Sequence, residues 1–153
     1  MYKSITYGHL TEQQVFDKIV AELLSKEHEY EISVGTDSQV YDQTKVATAI
    51  VLRRIGKGAI YFVHVTEAPR FHTLRDRMWH EANTSLAVAK RLTEHFYSWD
   101  LDYRPPVHLD LGKKGLSKIV INEITGYITA EGFDCVIKPY ASTASVVADR
   151  YSK

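Results

Sequence analysis

The chain has a single cysteine among its 153 residues, Cys135. That excludes an intramolecular disulfide, a CxxC zinc knuckle and a thioredoxin-type motif, and it fits a reducing, cytoplasmic compartment. Charge of one sign is also missing. The 19 Lys and Arg balance the 19 Asp and Glu, so no global basic field draws in nucleic acid or an anionic membrane, and any such binding has to be local. Long apolar runs are absent: none approaches the ~18 residues of a transmembrane helix, and MYKSITYGHL at Met1 to Leu10 lacks the apolar stretch of a signal peptide. The four prolines, Pro69, Pro105, Pro106 and Pro139, are scattered, and no repeat or Pro/Gly/Ser-rich linker divides the chain. One domain over residues 1–153 is expected. What is abundant is apolar content, at 44%, enough to bury a genuine core.

Thr11 followed three residues later by Gln14 is a capping-box start, and Val15, Ile19, Leu23 and Leu24 continue at helical spacing. EISVGTD at Glu31 to Asp37 alternates as a strand. Lys45 to Arg54 is β-branched and apolar, and after Gly56-Lys57-Gly58 the run Ala59 to Thr66 completes a three-stranded meander. From the Thr73 cap, Leu74, Met78, Ala82, Leu86, Ala89, Leu92 and Phe96 describe the longest helix. A strand from Val107 to Leu111, a helix from Leu116 to Glu131, a strand from Phe133 to Lys138 and a closing helix from Ser142 to about Tyr151 follow. The expected fold is α/β: a five-stranded mixed sheet, order 3-2-1-4-5, flanked by helices, with an extra helix at the N-terminus.

This order fixes where acids fall. Asp37 closes the first strand and Asp110 the fourth, so adjacent parallel strands present two carboxylates where the winding reverses, the usual ligand crevice of such sheets. Glu81 and Asp149 lie seven residues into the long and final helices, roughly 10 Å below the same end at 1.5 Å per residue. Carboxylates gathered at low dielectric repel unless cations neutralise them. Hard oxygen ligands select Mg²⁺ or Mn²⁺, and two such ions can activate water and stabilise a leaving oxygen in phosphodiester cleavage.

An Asp, Glu, Asp, Asp set on βββαβαβα resembles the ribonuclease H-like fold. More narrowly, GTDSQ at Gly35 to Gln39, HLDLG at His108 to Gly112 and KPYASTASVVADR at Lys138 to Arg150 resemble the bacterial YkuK family of ribonuclease H-like proteins. The resemblance implies a metal-dependent nuclease, with Asp37, Glu81, Asp110 and Asp149 as metal-binding and catalytic residues. Ser38 and His108 stand as supporting groups beside them. The chain departs from ribonuclease H itself in having no histidine between Pro139 and Asp149 and no basic insertion after the long helix, which argues against RNA:DNA hybrid specificity.

Arg70, Arg75 and Arg77 near the start of the long helix, with Lys113, Lys114 and Lys118 before the next, are candidate phosphate contacts. Tyr41, Phe71 and Tyr140 are candidate stacking surfaces for bases. GKKGLSK has two residues between its glycines where a P-loop needs four, no GxSxG elbow exists, and His64, His72, His80, His108 and Cys135 form no short-spaced zinc pair. The competing expectation is a non-catalytic nucleic-acid-binding or protein-interaction module that keeps the scaffold.

Overall fold

A computed structural model describes residues 1–111, 115–137 and 144–153. The strands are β1 (Tyr2–Ser4), β2 (Gly8–Leu10), β3 (Tyr30–Val40), β4 (Thr44–Arg54), β5 (Gly58–Ala68), β6 (Val107–Leu109) and β7 (Cys135–Ile137). The helices are α1 (Glu12–Ser25), α2 (Leu74–Ser98), α3 (Lys118–Ala130) and α4 (Ala144–Ser152). They build one seven-stranded mixed sheet in the order β2-β1-β5-β4-β3-β6-β7. The expected five-strand order is its β5-β4-β3-β6-β7 part. The expected count of five is corrected by an N-terminal hairpin, β1 and β2, that docks on the β5 edge through Lys3 and Val63. With three residues each, those strands are too short for alternation to register in the sequence.

Local chemistry explains the element starts. Thr11 accepts from the Gln14 amide while the Gln14 side chain returns to the Thr11 amide, and Thr73 and Ser117 accept from the amides of Asp76 and Val120. The β4–β5 turn holds Gly56 and Gly58 at φ of 80° and 82°, where a side chain would be strained.

Side-chain alternation then gives the sheet two different faces. On one, Ile32, Val34, Ile50, Leu52, Ile60 and Phe62 pack with Met78, Leu86, Leu92 and Phe96 of α2 in the main core. On the other, Ala47, Ala49, Val51 and Val63 meet Ala144, Val147 and Ala148 of α4. Small residues let α4 lie close. A Cβ on Gly35 would stand 2.8 Å from the carbonyl carbon of Ala144 and the amide nitrogen of Ser145, so glycine is what permits the approach.

Asp37 is not the last residue of its strand, since β3 runs on to Val40 beside β4, which β5 flanks on its other edge. Its position is nevertheless an edge, because β6 stops at Leu109.

Candidate functional site

The β3–β6 ladder pairs Val34 with Val107 and Gly35 with His108 in parallel register. Continued by two residues, that register sets Asp37 level with Asp110, on neighbouring strands spaced about 4.8 Å apart. Alternation turns Asp37 to the α4 side, and carries Asp110, between the core residues Leu109 and Leu111, to that side too. Asp37 is buried, and its Oδ2 accepts from Ser152 Oγ of α4 at 2.7 Å and from Gln39 Nε2 at 3.4 Å. Asp149, one helical turn before Ser152, is half-buried on the same side of the sheet, with Lys153 Nζ 3.2 Å from its Oδ2. Gly35 therefore matters to the site as well as to the fold: it seats the helix that brings Ser152 to Asp37.

Glu81 lies on the other face. It is 1% exposed, and its Oε2 accepts from Ser38 Oγ at 2.6 Å, with Arg77 Nε 3.8 Å away. Arg77 also donates from Nε to Ser38 Oγ at 2.9 Å and from Nη2 to the Ser38 carbonyl. One turn further along α2, Ser85 Oγ is 2.7 Å from Thr36 Oγ1, which is 3.2 Å from Thr48 Oγ1, so buried hydroxyls continue the polar seam beneath Glu81.

The four carboxylates are thus divided, with Asp37, Asp110 and Asp149 on the α4 side and Glu81 on the α2 side. Among the described residues no group of three or more His, Cys, Asp and Glu side chains is placed to hold a metal ion. Adjacent residues on a strand point to opposite faces, so the Ser38 hydroxyl that captures Glu81 is necessarily turned away from Asp37. Asp37 and Asp110 carry the hard oxygen donors that suit a divalent cation, while Asp149 is held by Lys153 and Glu81 by Ser38 and Arg77.

The cationic candidates separate in the same way. Arg77 is tied inward, with its side chain 19% exposed, and so is not an open phosphate contact in this arrangement. Arg70 is exposed and donates to the Tyr41 carbonyl at 2.7 Å, while Arg75 is exposed beside Glu123 of α3 at 3.4 Å. Lys118 is exposed at the start of α3. Lys113, Lys114 and Tyr140 lie outside the described residues. Tyr41 is 53% exposed, whereas Phe71 packs on His80 with ring centroids 4.9 Å apart.

Ser38 does support a carboxylate, that of Glu81. His108 shares the α4-side face with Asp110 but lines a cavity of about 110 Å³ with Glu31, Ser33, Arg53 and Tyr103, toward the opposite end of β3. Burial lowers its pKa, and the negative charge of Glu31 opposes that shift. Sequence reasoning missed Gly35 and Ser152. The first carries a signal, a glycine inside an otherwise regular strand; the second, one residue from Lys153, carries none.

The sheet order, the parallel β3–β6 pair and the acids at its edge define a ribonuclease H-like α/β protein. The ribonuclease H-like family model matches residues 14–153, and the chain belongs to that family. It is 36% identical over 169 aligned residues to the uncharacterised protein YkuK of Bacillus subtilis (strain 168), covering 100% of this chain and 97% of YkuK. No solved structure matches it significantly. Among the described residues no helix is long and apolar enough to cross a membrane.

Proposed function

We propose that this protein is a divalent-metal-dependent nuclease that hydrolyses phosphodiester bonds of RNA or DNA at the ends of β3 and β6. The observation that supports the reading is the parallel β3–β6 ladder, Val34 with Val107 and Gly35 with His108, whose register continued past Leu109 brings Asp37 level with Asp110. Membership of the ribonuclease H-like family supports it. Asp37 and Asp110 would hold Mg²⁺ or Mn²⁺, with Asp149 as a further ligand from α4. The bound ion would supply an activated water and charge stabilisation at the leaving oxygen. In this reading Ser152 and Gln39 orient the Asp37 carboxylate, while Arg70, Arg75 and Lys118 contact substrate phosphates near the same end of the sheet.

A second reading, a nucleic-acid-binding or protein-interaction module without catalysis, is favoured by one observation: Glu81 is engaged by Ser38 and Arg77 on the far face. Titration with Mn²⁺ separates the two. The nuclease reading expects saturable binding that Asp37→Asn abolishes and Asp110→Asn weakens. Absence of binding by the wild type leaves the module.

A further inference from the structure

We propose that the aromatic cleft at the C-terminal end of α2 docks an arginine side chain carried on an extended basic segment of a partner protein. The cleft lies toward the opposite end of β3 from Asp37, and it stands whether or not the chain cleaves nucleic acid.

The last turn of α2 and the loop that returns from it to β6 frame a cleft of about 310 Å³, whose lining includes Glu94, Tyr97, Leu101, Asp102 and Tyr103. Tyr97 is 77% exposed and Trp99, two residues on, is 52% exposed, so two large rings here take no full part in the core. Tyr103 is fixed. Its hydroxyl accepts from the Ile32 amide at 3.2 Å and donates to the Ile32 carbonyl at 3.4 Å, and its ring meets that of Phe96 edge-on. Exposed Trp and Tyr beside a firmly held wall are the residue types that anchor partners at interfaces.

Charge selects the occupant. Glu94 and Asp102 line the cleft, and neither has an ion-pair partner among the described residues. Asp100, in the same loop, holds the left-handed position at φ of 58° that glycine usually takes after a helix, and adds a third carboxylate. All three stand where the helix dipole already favours cations. The cations close by are committed elsewhere. His95, the basic residue of the last turn, has its Nε2 3.0 Å from Asp17 of α1. Arg104 reaches the Gly132 carbonyl at 3.4 Å, with its guanidinium 5.7 Å from the centre of the Phe133 ring.

A guanidinium meets both features of the cleft, because its planar fork pairs with carboxylates while its face stacks on an aromatic ring; an ammonium is a strongly hydrated point charge that does the first less well. Tyr97 and Trp99 offer surface to the residues that flank the arginine, which favours a chain segment over a free amino acid. The same carboxylates repel a phosphate backbone, so the favoured partner is a protein.

The test is an NMR titration of the isotope-labelled full chain with an end-capped Gly-Ser-Arg-Ser-Gly peptide, whose one charge is the guanidinium, beside versions carrying lysine or uncharged citrulline. The arginine peptide should shift the amides of residues 93–104. The lysine version should bind several-fold more weakly, and the citrulline version about tenfold or more weakly. Glu94→Gln combined with Asp102→Asn should weaken the arginine peptide by a similar factor. Tyr97→Leu should weaken it about two- to fivefold, the size of an exposed cation–π contact, and Tyr97→Phe should restore it. Glu94, Tyr97 and Asp102 are all exposed, so these substitutions leave the core intact, and unchanged spectra outside the cleft verify it. No shift at millimolar peptide, citrulline binding as well as arginine, or full affinity in the double variant overturns the site. So does a single-stranded oligonucleotide that shifts the same amides where the peptide shifts none.

Discussion

Replacing Gly35 by alanine should unseat α4 and, through it, loosen Asp37. A Cβ there falls 2.8 Å from the Ala144 carbonyl carbon and the Ser145 nitrogen and 3.0 Å from the Ala144 Cβ. Contacts between carbons settle near 3.5–4.0 Å, so the helix has to retreat by roughly 0.5–1 Å. The first two obstructing atoms are backbone, and no rotamer change relieves them. Overpacking of this kind costs about 1–3 kcal/mol. The retreat also stretches the 2.7 Å bond from Ser152 to the buried Asp37 carboxylate. A hydrogen bond to a charged group contributes about 1.5–3 kcal/mol, and losing part of it brings the total to between about 2 and 5 kcal/mol, against about 0.4–1 kcal/mol recovered from the stiffer unfolded chain. Urea denaturation of the wild type, Gly35→Ala, Ser152→Ala and the double variant measures this. Because Gly35→Ala has already moved Ser152, the second substitution should cost clearly less in that background than alone. A Gly35→Ala protein within about 0.5 kcal/mol of the wild type, or strictly additive costs, would refute the seating of α4 on Gly35 and its link to Asp37.

Two further outcomes follow from groups outside the site. Burial pushes the Glu12 carboxyl up, but bonds from Arg91 at 2.7 and 3.1 Å and the Arg91 charge, aided by Tyr2, bring it below its ordinary pKa. A carboxyl lowered in the folded state adds stability that is present above its unfolded pKa and is lost as pH falls through its folded pKa. Arg91→Met should therefore be less stable than the wild type at neutral pH, with the gap closing in acid; an undiminished gap at about pH 2 assigns Arg91 to packing alone. Burial also pushes the Cys135 thiol up to about 11. At pH 8 the native protein should react with a disulfide reagent far more slowly than the urea-unfolded chain, and equal rates would contradict the half-buried placement of Cys135 on β7.

Much of the fold was legible because its central elements have strong local signals. The capping box at Thr11, the long apolar period from Leu74 to Phe96 and the glycines of the β4–β5 turn each specify structure over a few residues. The N-terminal hairpin was not legible, since Tyr2 and Leu10 become core only by docking against β5 and α1, a tertiary event with no short-range signature. The site divides along the same line. That Asp37 and Asp110 share an edge follows from strand order alone. That Glu81 faces away follows from a competition among Ser38, Arg77 and the sheet, which spacing along a helix does not encode. Arg77 was read as a phosphate contact because the order of elements puts the start of the long helix at the same end of the sheet as the acids. Its inward tie to Ser38 depends on β3 passing under α2.

Cleavage assayed directly on labelled single-stranded, duplex and hybrid oligonucleotides, with Mg²⁺ or Mn²⁺, tests the proposed activity most squarely, using the wild type beside Asp37→Asn and Asp110→Asn. The expected result is metal-dependent hydrolysis of at least one substrate class, lost by a factor of about a hundred or more in each variant while the variants stay folded. Hydrolysis that persists in both folded variants, or none by the wild type on any substrate with either metal, would contradict a nuclease built on Asp37 and Asp110.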